Sequence, residues 1–515
     1  MGGTRDRCRL FLSLSLRSAG AHAVSTMSEL AEFSAPAVDP PTVDPPTVDP
    51  PPATRETIWH AVREALRGSR RDYTKGPIGR SILVLAIPMV LEMGMESIFV
   101  VCDVFFVARL GADAVATVGL TESMLAIVYT LAMGLSIGVT ATVARRTGEK
   151  DPDGAARTAV QGIGLGVIVA AMLGIAGGLL APSLLRAMGA SPSVVASGSM
   201  FTRVMLGGNA SILLLFLING IFRGAGDAAL AMRSLWLANA INILLGPCLI
   251  FGLGPFPRLG VTGAAIATTT GRSIGVLFAV SQLVRRSSRV VIHREHLRLD
   301  RALMSRLVKL SGTGTFQILI GTASWIGLVR LIANFGSSAL AGYTISIRIV
   351  MFALLPSFGL SMAAATMVGQ SLGSQQPDRA ERAVWLAGKY NLFFLGSVSV
   401  LFVLGARLIV SAFTTDPEVA AFAVYGLRVI AAGFVFYAYG MVMSQAFNGA
   451  GDTWTPTLLN LFSFWLWEIP LAFLFSRTFH MGPRGVFLAI PIALSTFALL
   501  SVVMFRRGRW KTKKV

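Results

Sequence analysis

Residues 222–227 read FRGAGD, and the phrase returns 225 positions later as FNGAGD at 447–452. The same displacement lays Gly134-Leu135-Ser136 on Gly359-Leu360-Ser361, Gly111 on Gly336, Gly148 on Gly373, Pro152 on Pro377 and Arg203 on Arg428. One constant offset with no insertion over so long a stretch marks an internal duplication. The unit is far longer than a solenoid repeat, so the chain must build two homologous halves. Each half has to bury its apolar surface in the same way.

That surface is extensive. Of 515 residues, 54% are hydrophobic and 14% charged, with mean hydropathy +0.67, where a soluble protein carries about 25% charged residues. Apolar stretches of about 20 residues are what a helix needs to cross a bilayer. Twelve are present, at 82–108, 117–142, 158–182, 195–221, 232–253 and 261–284, then 308–334, 341–368, 388–412, 420–446, 456–476 and 485–505. The expected fold is an all-α integral membrane protein of twelve transmembrane helices in two six-helix lobes. An even number of spans per half inserts both in the same direction, so a pseudo-two-fold axis along the membrane normal relates them.

The formal net charge is +19. The basic residues cluster between apolar runs rather than along one face, which argues against a nucleic-acid partner. Arg145, Arg146, Lys150 and Arg157 follow the second span, and Arg223 and Arg233 are assigned to the loop after the fourth. The connector after residue 284, Arg379, Arg382 and Lys389, and the tail RRGRWKTKK add to the same side. Basic loops stay cytoplasmic, which predicts both termini inside a cell inner membrane. The chain divides into an N-terminal arm (1–75), a first lobe (76–284), a connector (285–306), a second lobe (307–505) and a tail (506–515). PPTVDPPTVDPPP at 40–52 cannot bury a core, so the arm is expected to be disordered.

Ionisable groups inside the bilayer are costly and face internal cavities. Asp103 lies deep in the first span, in a position suited to loading and releasing a proton. Glu92 and Glu96 are i, i+4 on the same helix and are candidates for the same cavity. Glu468, in FWLWEIPLAF, is a candidate charge for the second lobe, with Arg428 or Arg330 as alternative structural partners. Pro88 precedes Asp103 by fifteen residues and is a candidate hinge, because an internal proline removes a helix hydrogen bond. Asn239 and Asn242 in the fifth span and Thr268 in the sixth need polar partners. Gln317 and Tyr437 are further cavity candidates.

The two GAGD phrases read as turns, with the aspartate capping the next helix. They lack the GxxxxGK[ST] pattern of a phosphate loop. His293 and His296 in the basic connector gain no further metal-ligand neighbours, so they read as solvated loop, and no metal or cofactor is expected. No nucleophile–base constellation is legible, so an enzyme is not indicated.

Taken in order, CDVFFVARLGADAVATVGL, GLSIGVTATVARRTGEKD, the two hexapeptides and NILLGPCLIFGLGPFPRLGVTGAAIATTTGR resemble the multidrug and toxic compound extrusion (MATE) transporters, over residues 80–505. The resemblance implies export of amphipathic, often cationic small molecules by antiport with H⁺ or Na⁺, through alternating access of the two lobes of a monomer. It implies that Asp103 couples the cation, that Asn242 contacts Asp103 with Thr268 nearby, and that Pro88 is where the first helix bends. Many relatives place an aspartate four residues after the Asn; here that position is Gly246, which favours protons. A lipid-linked-precursor flippase or a specific metabolite exporter of related architecture is the alternative. A flippase would require basic side chains in the cavity, with Arg203, Arg272, Arg330, Arg348 and Arg428 as candidates.

Overall fold

The computed structural model describes residues 58–69, 71–285 and 288–513; the proline-rich repeat at 40–52 lies outside them. Among these residues the chain is helical without a strand. A short helix α1 (Ile58–Arg67) precedes the first lobe, formed by α2 (Ile78–Ala108), α3 (Ala112–Gly148), α4 (Pro152–Ala187), α5 (Pro192–Gly207) with α6 (Asn209–Ala225), α7 (Ala228–Phe251) and α8 (Val261–Val284). The second lobe repeats the plan with α9 (Arg301–Ala333), α10 (Ser337–Gly373), α11 (Pro377–Ser411), and α12 (Pro417–Ala432) with α13 (Phe434–Gly449). Its eleventh span begins as α14 (Trp454–Asn460) and contains α15 (Ile469–Phe473), and α16 (Pro483–Arg506) completes the lobe. Eleven of these helices are long and apolar enough to cross a membrane, and the bent pair α12–α13 makes twelve.

Helix starts follow from local sequence. Asp151, Ser191 and Asp416 each stand before a proline, and each accepts a hydrogen bond from a backbone N–H of the first turn, satisfying a donor that the helix leaves free. The GAGD turns hold Gly226 at φ +87° and Gly451 at φ +82°, a left-handed conformation that glycine adopts without a Cβ penalty. Asp227 does not cap α7; its carboxylate accepts from Ser288 Oγ (2.8 Å) and Arg289 N (2.6 Å), fastening the connector. His296, expected in solvated loop, is buried: it bonds Asp153 (3.2 Å) and accepts from His293 N.

The fourth and tenth spans, expected as continuous helices, are broken at Gly208 and Gly433, which the repeat superposes. The second break bends by 57°. A Cβ at Gly433 would sit 2.9 Å from that of Pro491, and one at Gly208 would sit 2.6 Å from Thr269 Cγ2. Neighbouring helices thus press into the gap that glycine leaves. The eleventh span carries two stretches of wider, π-type winding, Leu461–Glu468 and Leu474–Thr478; such windings often mark functional positions. Symmetry reaches single bonds. Arg203 Nε donates to Gly178 O (3.1 Å) and Arg428 Nε to Val403 O (3.0 Å), so both arginines staple helices.

The lobes meet at the end nearest the connector, helix backbone against helix backbone. A Cβ at Gly148 would lie 2.1 Å from Gln370 O, one at Gly373 2.2 Å from Arg145 O, and one at Gly359 2.7 Å from Met89 O. Thr366 Oγ1 donates to Arg223 O (3.0 Å) and Gln370 Nε2 to Gly224 O (2.9 Å) across the seam. Gly148→Val is therefore expected to force this seam apart. A thiol reagent should label a cysteine introduced at Thr366, which is fully buried in the parent, markedly faster in the valine background. An unchanged rate would mean that the seam tolerates the side chain.

Two segments outside the repeat cover the seam. The arm, expected to be disordered through residue 75, is ordered from α1 onward. Arg379 donates to Tyr73 O and Gly76 O (both 2.9 Å), Arg289 to Ser69 O (2.9 Å) and Arg233 to Leu66 O (2.8 Å). Burial pushes the Tyr73 hydroxyl up to about 12, and it donates to Gly226 O at 3.3 Å. The tail packs Trp510 on Phe505, with ring centroids 4.6 Å apart, and Lys513 Nζ reaches Asp452 (3.4 Å). These backbone carbonyls are held by arginines far away in sequence, so composition alone could not foresee the order.

Candidate functional site

A cavity of about 420 Å³ lies between the lobes above the seam. Helix α2 supplies Met93, Glu96, Phe99 and Asp103, α3 supplies Glu122, Tyr129 and Met133, and the second lobe adds Phe358 and Met362. Flexible methionines and flat rings accept ligands of varied shape. Asp103 makes no hydrogen bond or ion pair among the described residues, and its charge is coupled to those of Glu122 and Arg272.

The other two acids of α2 are engaged. Glu92 Oε1 receives Arg223 Nη1 at 2.7 Å and Asn219 Nδ2 at 3.2 Å, with both charged side chains almost wholly buried. Arg223 also reaches Ser136 Oγ (3.3 Å). Arg223, assigned by sequence to a loop, thus belongs to the buried part of α6, while Glu92 is held behind the cavity rather than exposed to it. Glu96 lines the cavity and receives Arg272 Nη2 (3.1 Å) and Asn239 Nδ2 (3.0 Å). The Arg272 guanidinium lies over the rings of Phe99 (5.4 Å) and Tyr129 (5.7 Å).

Asn242 donates to Thr268 Oγ1 at 2.6 Å and makes no hydrogen bond with Asp103. The Asn–Asp contact implied by the resemblance is not made; Asn242 meets its neighbour on α8 instead. Thr268 lines the cavity with Asp103. Pro88 lies inside α2, ten residues from its start and beside Met89, whose carbonyl Gly359 approaches. It is not a first-turn proline.

A second cavity of about 520 Å³ lies in the second lobe, lined by Gln317, Trp325, Tyr343, Tyr437 and Glu468. It shares Ile318, Phe358 and Gln445 with the first. Glu468 is buried, and its Oε2 has no partner among the described residues. Arg428, offered as its partner by sequence, is spent on Val403 O, and Arg330 is exposed.

The repeat explains the asymmetry. Displacement by 225 carries Glu92, Asn219 and Arg223 onto Gln317, Ser444 and Asn448. Gln317 Nε2 donates to Ser444 Oγ at 3.3 Å, a neutral copy of the charged first-lobe cluster. Asp103 falls on Leu328 and Arg272 on Phe497. Charge chemistry is therefore concentrated in the first lobe. Sequence reasoning missed Glu122 and the pairing of Arg223; the available signals were an acid within the second apolar run and the one charged difference between the two hexapeptides.

The MatE family model matches residues 88–248 and 316–474, one segment in each lobe. The probable multidrug resistance protein YoeA of Bacillus subtilis is 23% identical over 446 residues, covering 86% of this chain and 96% of that one. An FAD transporter of Shewanella oneidensis is 27% identical, covering 82% and 93%. Among solved structures, an outward-facing multidrug resistance MATE family transporter of the MOP superfamily matches with a TM-score of 0.80 and 27% identity, over 86% of this chain and 98% of that one.

Proposed function

The chain belongs to the MatE family of multi-pass membrane transporters, and from that premise we propose that it exports amphipathic, cationic small molecules by antiport with an inward-moving cation. The observation that carries this reading is Asp103, unpaired and facing an apolar cavity between the lobes. A carboxylate there can hold either an organic cation or the coupling ion, and binding of one disfavours the other. That competition is what antiport requires.

Entry of the coupling cation neutralises Asp103 and removes the charge that retains the substrate. Helix α2 then repacks about Pro88, where the backbone ladder is already interrupted. Pro88 adjoins the Met89–Gly359 contact between the lobes, so the repacking reaches the seam directly. Two packings of one interface are the bistable element that alternating access needs. The protein is read as an inner-membrane monomer with both termini cytoplasmic.

Inside-out membrane vesicles from a host lacking its own efflux pumps provide the test. Energised vesicles holding this chain should accumulate ethidium above empty controls. Equal accumulation across a panel of organic cations would contradict the reading. The Shewanella relative motivates one further arm, because Arg348 of the second lobe is coupled to Glu122 at the cavity: transport of FAD in place of cations would move the substrate to anionic metabolites.

A further inference from the structure

We infer that Arg272 is a tethered cation, standing where a metal ion would otherwise bind in the first-lobe carboxylate cluster, and that it excludes Na⁺ from that cluster. The inference rests on the coupling role proposed for Asp103 and identifies which residue selects the coupling ion.

Arg272 lies on α8 and is almost wholly buried. One nitrogen, Nη2, meets Glu96 at 3.1 Å; Nε and Nη1 have no hydrogen-bond partner among the described residues. Buried guanidinium nitrogens ordinarily find acceptors, and a structural staple would have used them. The flanking Phe99 and Tyr129 rings hold the guanidinium by cation–π attraction without consuming those donors. The charge is coupled to both Glu96 and Asp103. It sits on Glu96 and acts on Asp103 through space.

The Glu96 carboxylate, which Na⁺ would share with Asp103, is already engaged. Each Glu96 oxygen already accepts, one from Arg272 and one from Asn239. Asn242 directs its Nδ2 at Thr268, which leaves its Oδ1 as a single neutral oxygen, and Gly246 contributes no side-chain oxygen. Hard cations require several oxygen ligands at once; here any set built on Asp103 would assemble beside a fixed positive charge. The groups facing this cluster are Glu96 and Asp103 on α2, Glu122 and Tyr129 on α3, and Asn239 and Asn242 on α7, while Arg348 on α10 is exposed and acts on Glu122 through space. Like charges in a medium of low dielectric repel strongly, so the guanidinium and Na⁺ cannot share the site. A proton, which needs one oxygen and joins it covalently, is not excluded in the same way.

The test is equilibrium binding of ²²Na⁺ to the purified full-length protein in lipid nanodiscs at one fixed pH. Wild type and Arg272→Lys should show background binding only. Arg272→Met should gain saturable binding, which Arg272→Met/Asp103→Asn abolishes again; Arg272→Gln, which keeps a donor for Glu96, replaces the methionine variant if the latter does not fold. Saturable Na⁺ binding by wild type that needs Asp103 would overturn the inference, as would a folded Arg272→Met or Arg272→Gln protein that binds none. Because the readout is binding, a failure of the export reading would appear separately, as a chain that behaves this way with Na⁺ yet moves no substrate.

Discussion

Asp103→Asn protein is expected to fold, reach the membrane and bind organic cations weakly, while its gradient-driven export falls to the leak rate. The side chain keeps its volume, so packing of α2 against its neighbours is preserved. What disappears is the only acid of that helix without a fixed partner. Glu92 and Glu96 cannot substitute, because Arg223 and Arg272 occupy them at 2.7 and 3.1 Å. Glu122 remains as a negative charge near the cavity, so some substrate binding survives without coupling. The check is ethidium uptake into vesicles holding equal amounts of wild type and variant. Full activity in the variant would move the coupling site to Glu122 or Glu468.

The second large effect concerns stability. Removing either partner of the Glu92–Arg223 pair leaves a charge buried without compensation, which costs roughly 3–5 kcal/mol. Glu92→Ala and Arg223→Ala should therefore lower the thermal midpoint sharply or prevent accumulation in the membrane. The double substitution Glu92→Gln/Arg223→Asn should recover most of the loss, since Gln317 and Asn448 already fill these places in the second lobe. Scanning fluorimetry of the four proteins decides the matter. If the double variant is no more stable than the worse single one, the pair is more than a charged edition of its neutral copy.

The sequence made the frame of this protein visible, because duplication and hydropathy are properties of the chain itself. Span edges came out short, since the helices run on into polar ends such as Pro152–Arg157 and Pro377–Ala387, where apolar content no longer reports helicity. Arg223 was misplaced for a definite reason. A hydropathy reading takes arginine as a loop marker, and the acid that makes burial affordable is 131 positions away. The breaks at Gly208 and Gly433 were hidden because glycine packs inside membrane helices as readily as it interrupts them. The ordered strap before α2 could not be read either, because its carbonyls answer to arginines in both lobes. Asp103 was legible because an acid deep in an apolar run announces itself; that Glu92 and Glu96 of the same helix are held by arginines of other helices does not.

The central claim is that a proton gradient acting on the first-lobe cluster drives export. Its most direct test is ethidium uptake into proteoliposomes holding purified wild-type protein, with an acid lumen or a Na⁺-loaded lumen imposed separately. The account predicts uptake with the acid lumen, none above leak with Na⁺ alone, and dissipation of the proton gradient when ethidium is added. Uptake driven by Na⁺ alone, or by neither gradient, would contradict it.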